Sequence, residues 1–322
     1  MDPRPDMDLP RLSVVLPNYN HARFLPVCFK ALVAQSVPPF EIIVIDDAST
    51  DNSMEVIPSF ARQHPAIRVF QNERNQGVVF GMNRGVELAQ GEYLHFASAD
   101  DQVKPGLFEK SLRLLAAHPQ AALCCTVSEW SYASSGLTWH MAAGMADQPS
   151  YFSPADMVRV GHKGKLAIVS HSAVMRKQAV CEVGGFLPEL RWHCDWFATY
   201  TSAFRHGMCY VPEPLSSVTL HERSFYGSGR HSGEHQRVLA RLLELLSSKE
   251  FADVAPLIRD SGALSLFAMP MLRMLLRRSE YRWFITPLLV ARTLRRSSEL
   301  LGKRILPEPL ARVCLRLFYR HR

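Results

Sequence analysis

The residues of this chain best suited to chemistry are carboxylates that stand in adjacent pairs. Asp46-Asp47 closes the segment EIIVIDD and Asp100-Asp101 closes EYLHFASADD, each after an apolar run. Two anions side by side repel each other, so a divalent cation shared between them is one explanation of such a pair. A solvated strand-to-loop junction that caps the next helix is the other. Asp195, in HCDWF, opens a helical pattern, a place where a negative charge also suits the helix dipole.

The elements that position these residues follow a repeating plan. LSVVL (12–16) reads as a buried strand closed by Pro17 and Asn18, and a helical pattern runs from about Ala22 to Gln35. EIIVIDD is the second strand, and a turn at 48–51 caps a helix that stops before Pro65. IRVFQN is the third strand, followed across Asn75-Gln76-Gly77 by a helix from about Val78 to Gln90. EYLHFASADD is the fourth, and a helix from Pro105 to about His118 follows it. Strands that are apolar throughout are buried on both faces, so the pattern predicts an α/β fold: a doubly wound, mostly parallel sheet flanked by helices. In such sheets ligands bind at the carboxyl ends of the strands, and both acidic pairs fall on that rim.

Beyond Ala121 the pattern loosens. AALCCTVSEW and IVSHSAVM read as strands, separated by a weakly patterned insert carrying Tyr132, Trp139, Tyr151 and Phe152. After the turn Val183-Gly184-Gly185-Phe186, a helix opens near Trp192 and ends at Gly207; MCYVPEPL and SSVTLHE read as closing strands. From Ser232 the chain reads as helical and rich in arginine. The expected division is therefore 1–231 for an α/β domain and 232–322 for a basic helical region, either a lid on the domain or a peripheral membrane anchor.

The chain has 322 residues, 47% hydrophobic and 21% charged, with a net charge of +7. That composition supports a full core. The positive excess sits toward the C-terminus, where Trp283 and Phe284 stand among arginines, a combination that suits an anionic lipid surface. No nucleic-acid-binding motif accompanies the charge, so nucleic acid is not expected as a partner. Seven irregularly spaced cysteines argue against a disulfide framework and for a reducing cytoplasm. The acidic, proline-bearing start differs from a secretory signal, and no apolar run reaches the length of a spanning helix.

Five segments in order, LSVVLPNYNHARFL, EIIVIDDASTDNS, NQGVVFGMNRGVELAQGEYLHFASADD, VGGF and HCDWF, resemble the family 2 glycosyltransferases of the GT-A fold. The resemblance covers about residues 12–221 and implies an inverting, nucleotide-sugar-dependent transferase. It places Pro17, Tyr19, Asp46 and Asp47 around the nucleotide base, and Asn75, Gly77 and Asn83 in the segment that leads to the metal motif. That motif usually reads Asp-x-Asp-Asp. Here it is Ser98-Ala99-Asp100-Asp101, so the ribose and diphosphate-metal roles carry over to Asp100 and Asp101 alone, with Mn2+ or Mg2+ as cofactor. Met82 stands where the family often has arginine before the asparagine, with Arg84 as a substitute cation. The family's general base is the aspartate of a Glu-Asp pair; Cys194-Asp195 occupies that place and implicates Asp195. His221 matches a histidine that reaches the metal or diphosphate in some relatives.

The resemblance implies a nucleotide-diphosphate sugar donor, UDP-linked in the first instance, and a saccharide or lipid-linked acceptor, as in cell-surface polysaccharide or glycolipid synthesis. The expected location is the cytoplasm, with peripheral contact at the inner face of the cytoplasmic membrane. Two other readings compete. A sugar nucleotidyltransferase would carry a Gly-rich basic loop after the first strand, where PNYNHARF stands instead. A degenerate, non-catalytic binding or scaffold module would accommodate Ser98, Met82 and Cys194.

Overall fold

The structure is a computed structural model and describes residues 9–133, 136–220 and 233–305. The first half follows the alternation expected: β1 (Leu12–Asn18), α1 (Leu25–Val33), β2 (Glu41–Asp46), α2 (Ser53–Gln63), β3 (Ile67–Gln71), α3 (Val78–Leu88) and β4 (Tyr93–Phe96). Consecutive residues of these strands point to opposite faces. Val15, Ile43, Ile45, Leu94 and Phe96 enter the core on one side, whereas Val14, Leu16, Ile42, Val44 and Tyr93 enter the core on the other. Burial on both faces is why these runs lack polar alternation.

The chain continues through β5 (Gln102–Val103), α4 (Leu107–Ala117), β6 (Leu123–Tyr132), β7 (Thr138–Met141), β8 (Ser150–Phe152) and α5 (Pro154–His162). Then come β9 (Ala173–Arg176), α6 (Lys177–Glu182), α7 (Cys194–His206) and the long β10 (Met208–Leu220). All ten strands form one sheet, with β3-β2-β1-β4-β9-β6-β10-β5 as its main path. Within the sheet β1, β2, β3, β4, β6 and β10 run the same way, because β9 lies antiparallel to both β4 and β6. Their carboxyl ends therefore share one edge.

Several boundaries differ from the sequence reading for local reasons. Pro17 lies inside β1, paired in register with Ile45. Proline is tolerated there because β4 pairs with β1 only as far as Val15, so no ladder bond is needed on the other side. The fourth strand ends at Phe96, leaving residues 97–101 as a loop. The two closing strands are one strand, bulged between Val211 and Ser216 where Pro212 and Pro214 interrupt the ladder. The weakly patterned insert is largely regular. It forms β7, β8 and α5, and α5 starts with a reciprocal capping box between Ser153 and Asp156, a legible signal.

The C-terminal part forms α8 (Gly233–Leu246), α9 (Ala255–Ser261), α10 (Ala268–Arg277) and α11 (Pro287–Ile305), with α10 preceded by a 3-10 turn at Ala263–Phe267. Leu239, Leu242, Leu243, Ile258, Leu264, Leu275 and Phe284 of this part share one core with Phe197, Tyr200 and Phe204 of α7. Phe284 is buried, which removes it from the surface where sequence reasoning placed it beside Trp283, and Trp283 stays exposed under the Arg259 guanidinium, 4.3 Å from the ring centre. Contact with α5 is close because Gly161 faces Ser261, whose carbonyl oxygen would lie 2.7 Å from a Cβ at that position. Among the described residues no helix is long and apolar enough to cross a membrane.

Candidate active site

The shared edge gathers the loops after β1, β2, β3 and β4, and short side chains stitch them together. Asp46 is fully buried and accepts from Asn18 Nδ2 at 2.8 Å, Ser49 Oγ at 2.6 Å and the Ser49 amide at 3.0 Å. Asn20 Oδ1 accepts from the amides of Thr50 and Asp51, and Asp51 accepts from the Ala22 amide, so the first two loops are locked together. Asp47 reaches the third loop: Asn72 Nδ2, the Gln76 amide and the Gly77 amide donate to it at 2.8, 2.9 and 2.7 Å. Asn75 Oδ1 accepts from the same Gly77 amide at 3.0 Å, and Gly77, at φ +90°, opens α3. The acidic pair therefore has a demonstrable structural task, to shape the rim. Beside it lies a cleft of about 370 Å³ lined by Ala48, Ser49, Gln71, Asn72 and Glu73. Pro17 is half-buried at the end of β1, and Tyr19 is exposed just beyond it.

Asn83 is committed elsewhere. Its Nδ2 donates to the Phe186 carbonyl at 2.7 Å and its Oδ1 accepts from the Phe186 amide at 2.9 Å. A carboxamide occupied on both sides by backbone is a clamp between α3 and the Gly184-Gly185-Phe186 turn. Its position thus joins α3 to the segment that leads to Asp195.

The second acidic pair sits where β4 ends. Ser98 Oγ donates to Asp100 Oδ1, so the serine in place of the family's first acid orients the second. Burial, and then the neighbouring Asp100 charge, push the Asp101 carboxyl well above the usual carboxylate range. The same two causes, with both aspartates contributing, push the Cys28 thiol up to about 12, so that thiol stays protonated. A buried carboxylate whose ionisation a neighbouring carboxylate opposes suits a divalent cation. No group of three His, Cys, Asp or Glu side chains suited to a metal occurs among the described residues. Oxygen donors so few fit Mg2+ or Mn2+, which take one or two carboxylates and complete their shell with water and substrate phosphate. His221 lies outside the described residues.

Asp195 occupies the first turn of α7 and is half-buried. Ser170 Oγ donates to its Oδ2 at 2.6 Å and the Trp196 amide donates to its Oδ1 at 2.7 Å. Burial raises its proton affinity, and these two donors pull it part of the way back. Just before α7 the backbone is strained at Arg191, φ 46° and ψ −119°. Next to Ser170, His171 Nε2 lies 2.7 Å from Ser128 Oγ, and its ring is 5.8 Å from Trp130. Trp130 in turn faces Trp139 across the β6–β7 pair, and Tyr132 packs on Trp139 at 4.8 Å. Ser49, Asn72 and Ser170 were not singled out by sequence reasoning. Ser49 was readable, since a serine three residues after a strand-end aspartate is a common turn partner; Ser170 meets Asp195 only through the tertiary fold.

Known proteins place this arrangement in a class. The model of glycosyl transferase family 2 matches residues 13–184, and the chain belongs to that family. It is similar to the uncharacterized glycosyltransferase YibD of Escherichia coli, with 35% identity over 257 residues, 76% of this chain and 72% of that protein. The putative glycosyltransferase EpsH of Bacillus subtilis is 25% identical over 219 residues, 67% of this chain and 62% of that protein. Among solved structures, Staphylococcus aureus TarS 1–349 in complex with UDP-GlcNAc superposes with a TM-score of 0.63 at 17% identity, covering 82% of this chain and 79% of that one. The mannosyltransferase PcManGT of Pyrobaculum calidifontis, in complex with GDP-Man and Mn2+, gives 0.59 at 17% identity, covering 95% and 85%. The fold is thus the mostly parallel, helix-flanked sheet of GT-A glycosyltransferases.

Proposed function

We propose that the protein transfers a sugar from a nucleotide-diphosphate donor, UDP-linked in the first instance, to a hydroxyl of a saccharide or lipid-linked acceptor, with inversion at the anomeric carbon. The observation that carries this reading is Asp195. It is a carboxylate of raised proton affinity, held by Ser170 on a turn that packs against β4, the strand after which Asp100 and Asp101 follow. A base that must take a proton from an alcohol benefits from that rise. Asp195 accepts the acceptor hydroxyl proton, the acceptor oxygen bonds to the anomeric carbon from the opposite face, and the bond from that carbon to the donor phosphate oxygen breaks. Mn2+ or Mg2+, when held by Asp100 and Asp101, supplies positive charge to the departing diphosphate. The cleft beside Asp47 suits the nucleotide base, and Pro17 and Tyr19 belong to the end of β1 and its loop, which Asn18 and Asn20 tie to Ser49 of the cleft wall. Trp130, Tyr132 and Trp139 offer ring faces on the acceptor side, the kind of surface that lines small-molecule sites.

The setting we infer is cell-surface polysaccharide or glycolipid synthesis at the cytoplasmic side of the membrane. Exposed Leu276, Trp283 and Leu294 beside the C-terminal arginines support a peripheral contact with an anionic surface. Calorimetric titration with UDP-GlcNAc and with GDP-Man, each in Mn2+ and in EDTA, tests the donor site. A donor binds in Mn2+ and weakens by about tenfold or more in EDTA, and Asp101→Asn removes that difference. Equal affinity in EDTA and in Mn2+ contradicts the assignment of Asp100 and Asp101.

A further inference from the structure

Between α8 and α10 runs a groove of about 610 Å³ whose walls carry Arg237, Arg241, Arg273, Arg277 and Arg278 against a single acid, Glu244. The arginines stand in two facing i,i+4 pairs: Arg237 with Arg241 on α8, and Arg273 with Arg277 on α10. Like charges at that spacing destabilise a helix. Among the described residues, Arg241 alone of these four has carboxylate partners, Glu189 at 3.4 Å and Glu244 at 3.3 Å. For Arg237, Arg273 and Arg277 no carboxylate lies within ion-pair distance among the described residues. Gly233, Gln236, Ala240, Pro270 and Met274 complete the lining, and Ala240 is buried. Five guanidinium groups lining one groove with one carboxylate give it a positive field.

We infer that this groove is a second anion site that binds phosphoryl groups, in the form of a diphosphate or of two neighbouring phosphomonoesters or phosphodiesters. Guanidinium forks match phosphate oxygens in pairs, and four of them facing across one groove suit two phosphate groups better than one carboxylate. The site lies apart from the acidic strand ends and does not depend on the sugar-transfer reading. It is nonetheless coupled to α7. Glu234 of α8 binds Arg191 at 2.8 Å and His235 Nε2 lies 3.2 Å from His193 Nε2, both in the turn that leads to Asp195. A phosphate-bearing molecule in the groove would therefore lie against the helix that sets the position of that turn.

The test uses the full chain in EDTA, where the acidic site holds no metal-bridged diphosphate. Inorganic pyrophosphate is titrated calorimetrically, and flotation is measured with vesicles of phosphatidylglycerol in phosphatidylcholine and of phosphatidylcholine alone. Arg273→Gln with Arg277→Gln is compared with a control of equal charge change on exposed arginines elsewhere, Arg62→Gln with Arg113→Gln. Loss of about tenfold or more in pyrophosphate affinity in the groove variant and not in the control supports the site. Flotation on phosphatidylglycerol that pyrophosphate displaces identifies lipid headgroups as the source, whereas pyrophosphate binding without flotation identifies a soluble phosphate compound. Equal loss in groove and control variants, or no binding of either probe, overturns the inference. The groove variant melts at or above the wild-type temperature, because a repulsion has been removed; a lower melting temperature would mark the arginines as structural and also overturn it.

Discussion

In the proposed mechanism the chemistry turns on Asp195 and its partner Ser170, and their hydrogen bond makes a directional pH prediction. Ser170 Oγ stabilises the charged carboxylate and so opposes the rise caused by burial. Ser170→Ala removes that donor, and the proton affinity of Asp195 rises further. A general base works only when deprotonated, so the acidic limb of the kcat/KM profile moves to higher pH, while the rate at high pH changes little. Comparing the pH–rate profiles of wild type and Ser170→Ala checks this; a limb that stays in place or moves to lower pH contradicts the role given to Ser170. Asp195 itself was legible as the acid after a Gly-Gly-Phe turn. Ser170 was not, because the two residues are brought together by packing of α7 against the loop before β9, and nothing local to either marks the contact. Asp46 and Asp47 teach a different lesson. Their position at a strand end was readable, but their hydrogen bonds show that much of their charge is engaged in holding the rim loops.

At the level of elements, the first four strands and their helices were readable because each strand is apolar on both faces and each helix carries a stripe of apolar residues. The second half was less so. Short strands such as β7 and β8 carry half-buried, polar-interrupted sequences whose pairing depends on partners far along the chain. The α3–β1 contact is a close helix-to-sheet approach: a Cβ on Gly85 would lie 2.1 Å from Val15 Cγ1. Val15 is fully buried and β-branched in a central strand, so it has little room to turn away. Gly85→Ala therefore costs about 1 to 3 kcal/mol through overpacking, more than the gain in helix propensity returns. Urea denaturation measures it; a variant as stable as wild type would show that α3 can shift without loss. Because Asn83 on the same helix clamps the Phe186 turn, a displaced α3 also lowers activity.

For the whole molecule, sequence reasoning divided the chain near residue 231 and left open whether the basic helices form a lid or an anchor. The core runs without a break from α7 into α8, α9 and α10, so these helices are packed on the catalytic half through their apolar faces. Their arginines are left for the outer surface and the groove. Sequence pattern showed the stripes and the charge but could not show which face each would take. The family and fold rest on matches across more than half of the chain, whereas the proposed donor and metal roles rest on the geometry of the strand ends and the proposed base role on the first turn of α7. The measurement that bears most directly on those roles is a side-by-side comparison of wild type and Asp195→Asn, in Mn2+, for donor affinity and for transfer to acceptor. Donor affinity is predicted to stay within about threefold while transfer falls by about 100-fold or more, as loss of a general base requires. Transfer at the wild-type rate in Asp195→Asn would contradict the account.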